Sequence, residues 1–130
     1  ISAWQPLLCD RSVSKVGKNS YQRWQRICLE ACKQSGSAWL PELLPVAKPE
    51  DVATKACAEG REVLLAHPDG AAFVTSRDTD KLLMIGPEGG FTEDEVRRIV
   101  AAGATRYSLG QHILRIETAA VSALARLRLT

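Results

Sequence analysis

Residues Leu82 to Val96, LLMIGPEGGFTEDEV, restrict the fold of this chain more than any other stretch. Leu82 to Ile85 are consecutive apolar residues that predict a short buried strand, and the Gly86-Pro87-Glu88-Gly89-Gly90 turn hands the chain to a helix. The paired glycines admit a positive φ and let backbone approach a ligand with no Cβ in the way, while Pro87 stiffens the turn. Thr92 at the N-cap and Glu95 three residues later predict a capping box, with Phe91 and Val96 at the positions of a hydrophobic staple. The turn is the first candidate for a ligand site, although the same pattern also serves as a plain tight connection.

Charge decides which ligand such a turn would take. Glycine turns at helix N-termini often cradle phosphate, but here Glu93, Asp94 and Glu95 fill the first helical turn and Glu88 precedes it. No lysine follows the glycines as in a Walker motif, and the spacing is not G-x-G-x-x-G. A neutral or cationic ligand is expected.

The 130 residues, 25% charged and 45% apolar, suit one domain with a buried core. No apolar run approaches membrane-spanning length and no signal peptide is seen, so the cytoplasm or an organelle interior is expected. The chain opens on Ile1 and its only methionine is Met84, which reads as a piece of a longer gene product. Cys9, Cys28, Cys32 and Cys57 lack the spacing of a metal site, His67 and His112 are far apart, and reduced core thiols are expected with no metal.

A net charge of +2 hides segregation. Residues 11–33 hold six basic side chains against Glu30, and residues 96–130 hold six arginines against Glu117, while residues 34–95 hold twelve acidic and five basic side chains. If the fold brings the two basic segments together they form a patch for an anionic polymer, with Tyr21 and Trp24 among the basic residues. An uneven solvated surface is the plainer reading.

Taken in order, Ile1 to Leu8 predicts a strand and a helix follows from about Tyr21 to Ser35, closed by Gly36. Trp24, Ile27, Cys28, Ala31 and Cys32 make its inward stripe, so Trp24 reads as core rather than as a base-stacking platform. An extended stretch from Leu40 to Val46 leads to a second helix with Pro49 in its first turn, Val52, Ala53, Ala56 and Cys57 inward, and Gly60 at its end. A strand from Glu62 to Ala66 then meets a turn at His67, Pro68, Asp69 and Gly70 and a polar loop to Asp80. The central strand, glycine turn and third helix follow, the helix ending at Gly103, and a strand from Thr105 to Leu109 meets Gly110. Alternating strands and helices with continuous apolar strand cores predict an α/β fold, a parallel sheet covered on both faces.

The C-terminal stretch SLGQHILRIETAAVSALARLRL carries the second signal. After a loop from Gln111 to Ile116, eight of the eleven residues from Ala119 to Leu129 are apolar, too many for one narrow surface stripe. A helix buried on more than one side at a chain terminus predicts a partner subunit, and a homodimer through this helix is expected.

The pair GPEGGFTEDEV and LGQHILRIETAA closely resembles the RsmE family of small-subunit ribosomal RNA methyltransferases, in the SPOUT superfamily, and the likeness runs upstream through PLLCDRSV and RWQRICLEACKQSG. The resemblance implies S-adenosylmethionine-dependent methylation of uridine N3 in small-subunit ribosomal RNA, on an α/β domain whose C-terminal segment threads a trefoil knot. Carried over, it sets the cofactor against Leu65, His67 and Pro68, then Ile85, Gly86, Pro87, Glu88, Gly89 and Gly90, then Leu109, Gly110, Ile113, Leu114 and Thr118. Arg115 is the expected cation at the uracil, with Glu117 orienting it or accepting the proton, and Arg11, Lys15, Arg23 and Arg26 are expected to serve RNA. The family's N-terminal PUA-like barrel and the opening strand and helix of its catalytic domain have no counterpart, so the chain is expected to be the SPOUT domain alone over residues 1–130. A transfer-RNA substrate, or an idle RNA-binding or assembly protein, are the alternatives.

Overall fold

The computed structural model describes residues 2–12, 16–72, 79–110 and 115–129, with side chains through residue 127. It divides into two compact units, Ile1–Leu8 with Ser14–Ala47, and Cys9–Val13 with Lys48–Thr130.

In the first unit, strand β1 (Ala3–Trp4) pairs in parallel with β2 (Glu42–Leu43), and a bridge from Leu7 to Ala47 extends the contact. The expected strand from Ile1 to Leu8 is thus reduced to two residues and a bridge, because Pro6 interrupts the ladder with no N–H to donate. Helix α1 (Ser20–Ser35) ends at Gly36 with φ 70°, as read from sequence. Trp24 stands edge-on to Trp4 and Tyr21 at centroid distances of 4.9 and 5.2 Å, and the Tyr21 hydroxyl donates to the Leu44 carbonyl at 3.1 Å. The expected inward stripe is only partly covered: Trp24, Cys28 and Cys32 are half-buried, Ala31 is exposed and Ile27 is 58% exposed. A two-stranded ribbon is too narrow to cover a five-residue stripe.

Among the described residues the second unit holds a parallel three-stranded sheet in the order β4-β3-β5, from β3 (Glu62–Ala72), β4 (Lys81–Met84) and β5 (Thr105–Ser108). Among the described residues the central strand is therefore β3, and not, as expected, the strand before the glycine turn. Val63, Leu64 and Leu65 are buried in succession, which requires cover on both faces of the sheet. Helix α2 (Pro49–Ala58) packs on β3 and on α3 (Glu93–Ala101), burying Ala53 and Ala56. Helix α4 (Ile116–Leu129) sets Ala123 against Leu64 and Tyr107, with Ala66, Leu83, Leu109 and Leu127 around them. No described helix is long and apolar enough to cross a membrane.

Strand β3 runs on to Ala72 rather than ending at the expected Ala66, and this shapes the site. Residues 67–70 do not end β3. Pairing with β5 runs from Leu64 opposite Thr105 to Ala66 opposite Tyr107, then resumes at Ala71 opposite the same Tyr107, so residues 67–70 loop out of the ladder. Gly70 closes the loop where a Cβ would run into the Tyr107 backbone, an approach that only glycine permits.

Candidate active site

An open cleft of about 990 Å³ lies in the second unit, within the size range of small-molecule sites. One wall is the looped-out segment of β3, with Ala66, His67, Pro68 and Asp69. A second is the turn after β4, from Ile85 through Phe91. The end of β5 supplies Tyr107, Ser108, Leu109 and Gly110, the start of α4 supplies Arg115, Ile116, Glu117 and Ala119, and Arg11 completes the lining. Both the turn after β4 and the end of β5 stand at the carboxyl ends of parallel strands, where α/β sheets place their ligands.

The turn after β4 is held by its own sequence. Gly90 adopts φ 76°, and its N–H bonds to the Pro87 carbonyl at 2.8 Å. The predicted capping box is present: the Glu95 N–H donates to Thr92 Oγ1 at 3.1 Å, and the Thr92 N–H donates to Glu95 Oε1 at 2.9 Å. On the wall from β3 the Asp69 N–H donates to His67 Nδ1 at 3.1 Å. Past β5, the Ser108 hydroxyl donates to the Gly110 carbonyl at 2.9 Å and accepts from its N–H at 3.2 Å.

Twelve of the residues expected at the cofactor or the chemistry meet at this cleft: His67, Pro68, Ile85, Gly86, Pro87, Glu88, Gly89, Gly90, Leu109, Gly110, Arg115 and Glu117. Leu65 does not; it is fully buried in the sheet core beneath the wall that His67 and Pro68 form. Thr118 is exposed and off the lining, because the helical twist turns it away between Glu117 and Ala119. Ile113, Leu114 and Lys15 lie outside the described residues. Arg23 and Arg26 are exposed on α1 in the first unit. Arg11, expected only to serve RNA, lines the cleft and donates from Nη1 to the Gly89 carbonyl at 2.9 Å.

Sequence reading missed the Asp69, Phe91 and Ser108 walls, which adjacency to named residues could have suggested, and Tyr107, which no local signal marks. Tyr107 is 2% exposed and burial pushes its pKa up to about 12. Cys9, also buried, has its thiol pushed up to about 11, first by burial and then by the neighbouring Glu95 charge. The cleft lining carries carboxylates at Asp69, Glu88 and Glu117 and guanidiniums at Arg11 and Arg115. Among the described residues no group of three or more His, Cys, Asp or Glu side chains is arranged to hold a metal.

Comparison with known proteins sets this geometry in a family. The profile of the RNA methyltransferase domain matches residues 1–128. The chain is 38% identical over 136 residues to ribosomal RNA small subunit methyltransferase E of Synechocystis, across 97% of this chain and 44% of that protein. Against the protein of the same name from Bacillus subtilis the identity is 31% over 137 residues, across 95% and 54% of the two chains. A Legionella pneumophila protein solved in complex with S-adenosylmethionine superposes with a TM-score of 0.90 at 32% identity, covering 99% of this chain and 55% of that one. Ribosomal RNA small subunit methyltransferase E of Neisseria gonorrhoeae, bound to S-adenosylmethionine, gives 0.87 at 30% identity with the same coverage. The chain spans about half the length of these relatives. With its parallel α/β sheet and its cleft at the strand ends, it belongs to the RsmE family of RNA methyltransferases.

Proposed function

We propose that this chain is the catalytic domain of an S-adenosylmethionine-dependent enzyme that methylates N3 of a uridine in small-subunit ribosomal RNA. The observation that carries the reading is the convergence, in one cleft, of the glycine turn and of Arg115 and Glu117, segments far apart in sequence. The lining fits the cofactor. S-adenosylmethionine has a sulfonium, an amine and a carboxylate but no phosphate, and the cleft offers both charge signs beside the bare backbone of Gly90. When bound, the cofactor supplies an electrophilic methyl group.

The residues of the chain do the rest. His67, Pro68, residues 85–90, Leu109 and Gly110 hold and orient the cofactor, with Ile113 and Leu114 of the following segment, and Leu65 supports that wall from the core. Orientation supplies much of the acceleration in an in-line displacement. The uracil N3 is an imide nitrogen that must lose its proton, and Arg115 stabilises the charge that develops on the uracil oxygens. Glu117 accepts the proton or orients Arg115. Arg11, Lys15, Arg23 and Arg26 hold the RNA backbone. A homodimer forms through α4, a reading supported by Val121, 69% exposed on a helix whose Ala119 and Ala123 are already buried. The C-terminal segment threads the trefoil knot of the SPOUT fold, and the enzyme works in the cytoplasm or organelle interior where ribosomes are assembled.

Calorimetric titration with S-adenosylhomocysteine, beside ATP as a control, tests the pocket. Saturable binding of the first alone is expected, and a folded chain that binds neither would overturn the reading. Arg115→Ala is expected to lower turnover by about 100-fold, on the scale of a lost charge-stabilising donor, with S-adenosylhomocysteine affinity retained. Unchanged turnover would remove Arg115 from the chemistry.

A further inference from the structure

Glu95 is 1% exposed, the buried charged side chain of the described core, and capping α3 does not require that burial. Its two oxygens are divided between two segments. Oε1 accepts from the Thr92 N–H at 2.9 Å, within its own helix cap, and Oε2 accepts from the Asp10 N–H at 3.0 Å, 85 residues away in sequence. Thr92 Oγ1 reinforces the tie by donating to Asp10 Oδ2 at 3.3 Å. Residues 9–12, in no helix or strand, close on themselves through the Cys9 N–H to Ser12 Oγ at 3.1 Å and the Ser12 N–H to the Cys9 carbonyl at 3.1 Å. A buried carboxylate is stable only when its lone pairs are engaged, and these two backbone donors are what engage it.

The residue this small turn presents is Arg11. Its side chain lies across the glycine turn, with Cβ and Cδ each 3.3 Å from where a Cβ on Gly89 would stand, and Nη1 bonds to the Gly89 carbonyl at 2.9 Å. That bond uses one of five guanidinium N–H donors, in a cleft whose lining also holds Arg115.

We propose that Glu95 is a positioning residue: by holding the Asp10 N–H it fixes the turn of residues 9–12 on the helix cap, and so sets Arg11 over the cleft to take a phosphate of the RNA strand. The proposal rests on the RNA-methyltransferase reading. It makes a prediction opposite in sign to simple electrostatics. Glu95→Gln removes a negative charge, which by charge alone would tighten RNA binding. With the latch, one end of the side chain becomes an amide that faces an N–H donor, Arg11 is released, and binding weakens.

The test is the salt dependence of binding of the 130-residue chain to a short single-stranded RNA, for the parent, Arg11→Ala, Glu95→Gln and the double variant. Arg11→Ala is expected to reduce the slope of log affinity against log salt by about 0.7, one phosphate contact on a single strand. Glu95→Gln should show the same reduction and weaker binding at low salt, and the double variant should be no worse than Arg11→Ala alone. Tighter binding by Glu95→Gln, an unchanged slope, or additive losses in the double variant would overturn the proposal. If Glu95→Gln does not fold, Asp10→Pro removes the donated N–H and the Asp10 carboxylate while keeping the Glu95 carboxylate and its cap bonds to Thr92, and is held to the same outcomes. Titration of the parent with S-adenosylhomocysteine separates the two levels: no binding there defeats the methyltransferase reading, whereas binding there without measurable RNA affinity defeats the assignment of Arg11 to phosphate.

Discussion

Residues 85–91 and residues 66–69 wall the same cleft, yet they are stabilised in different ways. The first segment is built from local chemistry: a glycine at positive φ, a tight Gly90 to Pro87 hydrogen bond and a capping box within four residues of chain. The second exists because of a strand that arrives much later in the sequence. Its Gly70 presses on the Tyr107 backbone, and pairing with β5 on both sides of the loop holds it in place. Walls of the first kind tolerate small local losses, while walls of the second kind fail together with the sheet contact that makes them.

Substitution at Gly70 separates the two most sharply. Gly70→Ala puts a Cβ against backbone that has no side chain to swing aside, and a loss of about 3 kcal/mol in urea unfolding is expected. Titration with S-adenosylhomocysteine should show binding lost along with it. A variant with parent stability and affinity would mean that the loop does not depend on the close approach to Tyr107.

Smaller effects are expected at the turn after β4. Gly90→Ala forces an L-residue into φ 76°, and Thr92→Ala removes the hydroxyl that accepts from the Glu95 N–H. Each should cost about 1 kcal/mol, measured by thermal unfolding at equal protein concentration. Cofactor affinity should fall by no more than about fivefold in Thr92→Ala, the equivalent of that loss. A collapse of binding in Thr92→Ala would show that this wall is as brittle as the other.

The smallest effect is pH-dependent and appears only in alkali. Cys9 beside the helix cap has its pKa raised from 9.0 to about 11, and Tyr107 beneath the loop from 10.0 to about 12. In both cases the folded state holds its proton more tightly than the unfolded chain, so stability is complete below the unfolded pKa and falls as pH rises toward the folded one. At pH 9.5 the Cys9 loss is under about 1 kcal/mol and Tyr107 contributes less, so the thiol dominates the decrease. Urea unfolding at pH 8.0 and 9.5 should show this decrease in the parent and a smaller one in Cys9→Ala. Equal slopes in the two proteins would mean that the thiol is not the group responsible.

Legibility followed the range of the interaction. Helix α1 was bounded to within a residue because its C-cap glycine is a local signal, but the cover over Ile27 was not, since that depends on how wide a sheet the helix meets. From sequence Arg11 is expected only to serve RNA, because nothing near it in the chain reveals its bond to Gly89, 78 residues on. The extension of β3 to Ala72 was hidden for the same reason: His67, Pro68, Asp69 and Gly70 have the composition of a turn, and only pairing with β5 makes them a bulge inside a strand.

The sequence by itself determined the parallel α/β class, the glycine turn with its capped helix and the family motifs, because apolar periodicity, positive φ and cap hydrogen bonds act within a few residues of chain. The tertiary structure decided which strand is central, which side chains face the cleft rather than the core, and the burial of Glu95 between Thr92 and Asp10. Those outcomes depend on surfaces and backbone donors contributed from far along the chain, and they have no physical existence until the sheet has formed.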